Sequence, residues 1–238
     1  NRFNKDQRLL YDPVIDSINI WFKDNWMLLS DREKMEWKYQ RYMQDYLGSI
    51  SSIDDNVGKI LDYLEKNNII ENTLIVYTSD QGFYLGEHGW FDKRFIYDES
   101  FKTPLLISWK TKIQGSRINT KMVQNLDFAQ TLLEAANIPP PNDMQGQSLM
   151  PLLVGNDMGW KREAVYYHYY EYPSVHMVKR HYGIVTEKYK LIHFYYDVDE
   201  WELYDRDTDS MEMINVYHNP SYKKIVDTLT VALDKIRK

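Results

Sequence analysis

A short apolar run, Leu74-Ile75-Val76-Tyr77, stops at Ser79-Asp80-Gln81-Gly82, and this junction constrains the fold more than any other feature of the chain. Consecutive apolar residues with two β-branched side chains read as a strand buried on both faces. In open α/β sheets, ligands gather outside the carboxyl ends of strands. The segment that follows, Phe83 to Arg94, adds His88, Asp92, Lys93 and Arg94. Oxygen ligands, an imidazole and two cations in one loop are equipment for holding a metal ion and an anionic ester.

Other segments frame this junction. Ser30-Asp31-Arg32-Glu33 has the capping-box pattern, so a helix should begin there. Apolar residues then recur at Tyr39, Tyr42, Met43, Tyr46, Leu47, Ile50, Ile53, Val57, Ile60, Leu61 and Leu64. That spacing predicts a helix ending at Asn67-Asn68, with Gly48 as a point of bending. Residues 1–30 are mixed and aromatic, with Tyr11-Asp12-Pro13 as a turn signal. Pro104-Leu105-Leu106-Ile107-Ser108-Trp109 predicts a second strand. Gln124 to Ala136 predicts a helix stopped by Pro139-Pro140-Pro141, with a loop to about Gly159. Gly183 to Phe194 reads as two strands around Glu187-Lys188, and Glu202-Leu203-Tyr204 as another. Tyr222, Ile225, Val226, Leu229, Leu233 and Ile236 mark a terminal amphipathic helix. Strands gathered before a helix predict a small α+β subdomain. The expectation is an α/β chain whose residues 1–159 belong to one domain and 160–238 to a smaller one.

At 238 residues and 43% hydrophobic, the chain is long enough to bury a real core. Its net charge of −6 gives no global attraction to nucleic acid or membrane. No apolar run approaches the ~20 residues of a membrane helix. Asn1-Arg2-Phe3-Asn4-Lys5 is no signal peptide and reads like the interior of a longer protein. The absence of cysteine excludes disulfides, thiolate metal sites and cysteine nucleophiles within this chain. The 20 tyrosines and 7 tryptophans suit either a carbohydrate site or ordinary packing with the polar edge outward.

Each candidate residue has two readings. Asp80 and Gln81 offer adjacent oxygens to a hard cation, or Asp80 caps the next turn. Lys93 and Arg94 clamp an oxyanion, or are a solvated basic pair. Asp92 grips sugar hydroxyls, or pairs with a neighbouring cation. His88, between Gly86 and Gly89 on a sharp turn, donates to an ester oxygen or is structural. His168, His176 and His181 match no zinc spacing and serve substrate contact or aromatic packing. Asp205-x-Asp207-x-Asp209 fails the calcium-loop test, with Ser210 where glycine and Val216 where glutamate is needed, and reads as a polar turn.

In order, these segments resemble the sulfatase family. Thr78-Ser79-Asp80-Gln81-Gly82, Leu85-Gly86-Glu87-His88-Gly89 and Lys93 resemble the second metal-and-sulfate motif of type I sulfatases. Tyr97-Asp98-Glu99-Ser100 and Thr103-Pro104-Leu105-Leu106-Ile107 continue it. Asp127-Phe128-Ala129-Gln130-Thr131-Leu132-Leu133 with Gln145-Gly146-Gln147-Ser148-Leu149 resembles the family's later helix and loop. Thr186-Glu187-Lys188-Tyr189-Lys190-Leu191-Ile192 and Glu202-Leu203-Tyr204-Asp205 resemble its C-terminal subdomain.

The resemblance implies the C-terminal part of an alkaline-phosphatase-like mixed-sheet domain, followed by a small α+β subdomain with antiparallel strands and a terminal helix. It implies a sulfuric ester hydrolase with calcium held in part by Asp80 and Gln81, and with Lys93 on the sulfate group. His88 is implied close to the site. A formylglycine made from cysteine or serine is the family's nucleophile. No cysteine and no Ser-x-Pro/Ala-x-Arg motif occurs here, so the nucleophile is expected in an N-terminal half that was truncated, cleaved or is another chain. That half, or a dimer partner, is the expected partner, and the chain alone is expected to be inactive. By analogy Asp92, Arg94, His176 and His181 are substrate-binding candidates for a sulfated carbohydrate such as a glucosamine 6-sulfate unit. Family resemblance places such an enzyme in the periplasm or outside the cell. Two other outcomes stay open: a phosphodiesterase or phosphonate hydrolase of the same superfamily, and an inactive glycan-binding fragment.

Overall fold

The computed structural model describes residues 5–237. The reading of Asn1 to Asn4 as interior sequence lies outside them. The chain divides between Lys66 and Asn67 into two compact units.

The first unit is built on two helices, α1 (Lys5–Asn25) and α2 (Asp31–Lys66). Pro13 lies inside α1, so Tyr11-Asp12-Pro13 is not a turn. A proline removes one helical hydrogen bond, but tertiary packing overrides such local preferences. Here Trp21 stacks on Trp37 with ring centroids 5.3 Å apart, and Phe22 on Trp26 at 4.8 Å. The capping box at the start of α2 forms as expected. The Ser30 amide and hydroxyl both donate to Glu33 Oε2, at 2.8 and 2.6 Å, and the Glu33 amide donates back to Ser30 Oγ at 3.4 Å. The helix runs through Gly48 and ends ahead of Asn68, whose positive φ of 56° turns the chain.

In the second unit, β1 (Ile75–Thr78) and β2 (Leu105–Ser108) form an antiparallel pair, with Ile75 opposite Ser108 and Thr78 opposite Leu105. The expectation that β1 is buried on both faces is not met. Val76 is 37% and Tyr77 40% exposed, because β2 is the only strand that β1 meets among the described residues. Between the two strands runs the site-bearing segment, which ends in the short helix α3 (Asp98–Phe101). Two more helices follow, α4 (Leu126–Ala135) and the single turn α5 (Met150–Leu153). The loop between them folds back on α4. Gln147 N–H donates to Asp127 and Leu149 N–H to the Thr131 hydroxyl, both at 2.8 Å.

The rest of this unit is an antiparallel meander, β3 (Ala164–Tyr169), β4 (His181–Thr186), β5 (Tyr189–Phe194) and β6 (Glu200–Asp205), followed by α6 (Lys223–Ile236). Successive side chains alternate between its faces. Ile184, Leu191 and Leu203 pack with Leu229 and Leu233 of α6. Val185, Ile192, Phe194 and Tyr204 pack with Ile96, flanked by Phe95, Tyr97 and Phe101. The sheet is therefore filled between the terminal helix on one side and the site-bearing segment on the other. The expected boundary near residue 159 falls inside this second unit, just ahead of β3. Strand β3 has no counterpart in the sequence reading, although Val165 and three tyrosines suit a strand. No helix among the described residues is long and apolar enough to cross a membrane.

Candidate functional site

The chain leaves β1 at Thr78 and turns at once through Ser79, whose hydroxyl donates to the Gln81 carbonyl at 2.8 Å. Gly82 then lies flat on α3. Its N–H donates to the Ser100 carbonyl at 2.7 Å, and a Cβ at this position would sit 2.0 Å from the Glu99 carbonyl oxygen. Only glycine permits this approach. The segment 84–92 loops out and back, with Tyr84 N–H donating to the Asp92 carbonyl and Gly86 N–H to the Trp90 carbonyl. Gly86, His88 and Gly89 all have positive φ, which makes the sharp turn expected of this segment. Ser100, buried in α3, donates its hydroxyl to the Lys93 carbonyl at 2.6 Å.

These turns bring Asp80, Gln81 and Lys93 to one cavity of about 1010 Å³. Asp80 is exposed, and its carboxylate takes only a long bond of 3.4 Å from the Ser79 hydroxyl. The Gln81 amide and the half-buried Lys93 ammonium make no hydrogen bond or ion pair among the described residues. Oxygen-only donors at Asp80 and Gln81 suit a hard cation. No group of three or more His, Cys, Asp or Glu that could hold a metal ion occurs among the described residues.

The other expected residues lie outside the lining of this cavity. His88 stacks on Tyr97 at 4.5 Å, and its Nε2 is 3.4 Å from Glu99 Oε2. Asp92, Arg94 and His176 come together: Arg94 Nη1 is 2.6 Å and His176 Nδ1 3.7 Å from the Asp92 carboxylate. Burial works against the Asp92 charge, yet the Lys93 amide and the Arg94 guanidinium hold its carboxyl below the usual carboxylate range. His181 is different. It is fully buried among Phe95, Tyr167, Tyr169 and Phe194, so it is a packing residue and not a surface contact. Its Nδ1 lies 2.8 Å from the Lys179 carbonyl, and burial pushes its pKa down to about 4. His168 also packs, between the hydroxyls of Tyr166 and Tyr195 at 2.8 Å each. Asp205 to Asp209 is a polar turn, with Thr208 N–H donating to the Asp205 carbonyl.

Sequence reasoning did not find the residues that hold these loops in place. Lys190, fully buried, donates to the Ile96 carbonyl at 2.9 Å and to Asp98 and Glu212 at 2.8 Å each. Burial opposes the Asp98 charge, but Lys190, Lys102 and Arg206 together hold its carboxyl well below the usual range. On α4, Asp127 is likewise buried and paired with Arg162. A lysine in a strand and an arginine in a loop carry no periodic signal that would reveal such partners.

Two family models match the chain. The model described as Sulfatase covers residues 5–138, and that described as N-sulphoglucosamine sulphohydrolase, C-terminal, covers residues 86–238. An N-acetylglucosamine-6-O-sulfatase of Bacteroides thetaiotaomicron is 49% identical over 212 residues, which is 88% of this chain and 38% of that protein. A solved structure of a protein in complex with its substrate, D-glucosamine-2-N,6-O-disulfate, matches with a TM-score of 0.91 at 44% identity. It covers 99% of this chain, which spans 48% of it. A phosphonate monoester hydrolase of Agrobacterium radiobacter matches with a TM-score of 0.71 at 26% identity, over 81% of this chain and 40% of that one. The chain thus spans less than half the length of each of these relatives.

Proposed function

Because the chain belongs to the sulfatase family, we propose that it is the C-terminal portion of an alkaline-phosphatase-like enzyme that hydrolyses the 6-O-sulfate ester of a glucosamine unit. One observation carries this reading. The Lys93 ammonium has no partner among the described residues, and it shares a cavity with the oxygen donors Asp80 and Gln81. An unpaired cation in a concave, part-apolar setting attracts an anion more strongly than it would in open water.

In this reading Lys93 binds a non-bridging sulfate oxygen and offsets charge on the transferring group. Asp80 and Gln81 hold part of a calcium site. Bound there, the cation would act as a Lewis acid on the sulfate oxygens. The family's formylglycine nucleophile would come from outside this chain, which has neither a cysteine nor a Ser-x-Pro/Ala-x-Arg motif to convert. Asp92, Arg94 and His176 take the sugar side, where a carboxylate and a guanidinium already oriented by each other offer acceptor and donors to hydroxyls. His88 acts from behind the cavity wall, bracing Tyr97 and Glu99.

The test uses the full-length protein that carries this chain. Lys93→Ala should lower kcat/KM for glucosamine 6-sulfate by about 10²-fold or more, the scale of losing one transition-state donor. Near-normal turnover would remove Lys93 from the mechanism. The phosphonate hydrolase match favours a second reading, since the same cation and oxygen donors suit a phosphonate monoester. A higher kcat/KM for a phosphonate monoester than for the sulfate ester would reverse the assignment.

A further inference from the structure

Ser100 is only 4% exposed, yet it touches both arms of the cavity. Its hydroxyl donates to the Lys93 carbonyl at 2.6 Å. Its carbonyl accepts from Gly82 N–H at 2.7 Å, one residue beyond Gln81. A single buried residue thus spans the arm that carries the oxygen donors and the arm that carries the unpaired ammonium. The residue itself is firmly seated. It belongs to α3, whose first residue, Asp98, is held by Lys190, Lys102 and Arg206.

The segment 92–94 on which Lys93 sits has no helix or strand of its own. The neighbours of Lys93 are tied to the unit by the Tyr84 amide on the Asp92 carbonyl at 2.8 Å and the Tyr167 hydroxyl on the Arg94 carbonyl at 2.7 Å, while Lys93 itself has its amide on Asp92 and its carbonyl on Ser100. The Asp92 bond is local and moves with the loop. The Ser100 bond ties the Lys93 backbone itself to α3. A short side chain with one hydroxyl rotor fixes the separation of two backbones more tightly than a long one, because it has fewer rotamers to sample.

We propose that Ser100 is a positioning residue: it sets the distance between Lys93 and the Asp80–Gln81 pair, and acts on the reaction only through Lys93. The inference rests on the sulfatase reading of the same cavity. Losing the hydroxyl leaves the fold intact but lets the ammonium drift from the sulfate oxygen. Such misplacement falls on the chemical step, where geometry matters most.

The experiment is a double-mutant cycle in the full-length protein, assayed on glucosamine 6-sulfate and on an activated aryl sulfate that keeps slow variants measurable. Ser100→Ala should lower kcat by roughly 10- to 100-fold, with KM changed by less than about threefold. Its thermal midpoint should stay close to wild type, and Ser100→Thr, which keeps the hydroxyl, should recover most of the loss. In a Lys93→Ala background, adding Ser100→Ala should cost less than about twofold, since no ammonium is left to position. Should Ser100→Ala fold poorly, Ser100→Cys, a similar shape with a weak donor, replaces it. A kcat within about twofold of wild type for the folded Ser100 variant would overturn the proposal, as would an equal penalty in both backgrounds. If Lys93→Ala itself is active, the sulfatase reading of the cavity fails first. If Lys93→Ala is impaired and the Ser100 variant is not, only the role of Ser100 fails.

Discussion

Lys93 and Lys190 show how the same side chain serves two ends. Lys190 is fully buried and surrounded by acceptors, whereas Lys93 has none among the described residues. Removing one member of a buried charge group leaves the others uncompensated. Lys190→Met should therefore destabilise the protein by about 3–5 kcal/mol in urea unfolding. A loss below about 1 kcal/mol would mean that Lys102 and Arg206 alone satisfy Asp98 and Glu212. His181 makes a second prediction. Its pKa is pushed down to about 4 by burial against an ordinary value of 6.5, so the unfolded chain binds the proton first. Stability from this group is complete above pH 6.5 and is lost as pH falls toward 4. The thermal midpoint should drop across that window, and His181→Phe should flatten the drop. An unchanged profile in that variant would show that other groups set the acid limit. At this scale, the gathering of Asp80, Gln81 and Lys93 at one cavity was legible because they lie in one stretch. Lys190 was not, because a hydrogen bond across 92 or 94 residues leaves no mark on local spacing, and Ser100 was not, because a loop-to-helix bond has no periodic signature.

At the scale of elements, legibility followed the strength of local signals. Helix α2 was readable from a capping box at one end and a periodic apolar stripe along its length. The hairpin of β4 and β5 was readable from its alternation around Glu187-Lys188. Helix α1 was missed because Tyr11-Asp12-Pro13 carries a turn signal, and β3 was assigned no element at all. The burial of β1 was misjudged because an apolar run reports what a strand can bury, not what lies against it. Two substitutions test the first unit. Ser30→Ala should cost about 1 kcal/mol by removing the hydroxyl half of the capping box, while the Ser30 amide keeps its bond to Glu33. Gly48→Ala should add about 0.5–1 kcal/mol, since a Cβ there meets nothing within 4 Å and the residue lies inside a helix. Thermal or urea denaturation measures both, and a destabilising Gly48→Ala would show that the glycine is needed for a contact or a bend.

For the molecule as a whole, the site depends on a sheet formed far along the chain. Val185, Ile192 and Tyr204 pack on Ile96, while α6 closes the other face. The cavity supplies a cation and two oxygen donors, but the chain has no cysteine to serve as a nucleophile. Purified alone, these 238 residues should release no sulfate from glucosamine 6-sulfate; measurable release, free of any other polypeptide, would show that another group attacks sulfur. The anchor at Lys190 and Glu212 also sets a schedule during protein synthesis. Asp98 leaves the ribosome 114 residues ahead of Glu212, whose carboxylate accepts its amide at 2.9 Å. At about 5–20 residues per second, the loop bearing Lys93 waits roughly 6–23 s for that anchor. Throughout that interval Asp98 lacks this acceptor, so α3 gains its full set of anchors only once Glu212 has been made.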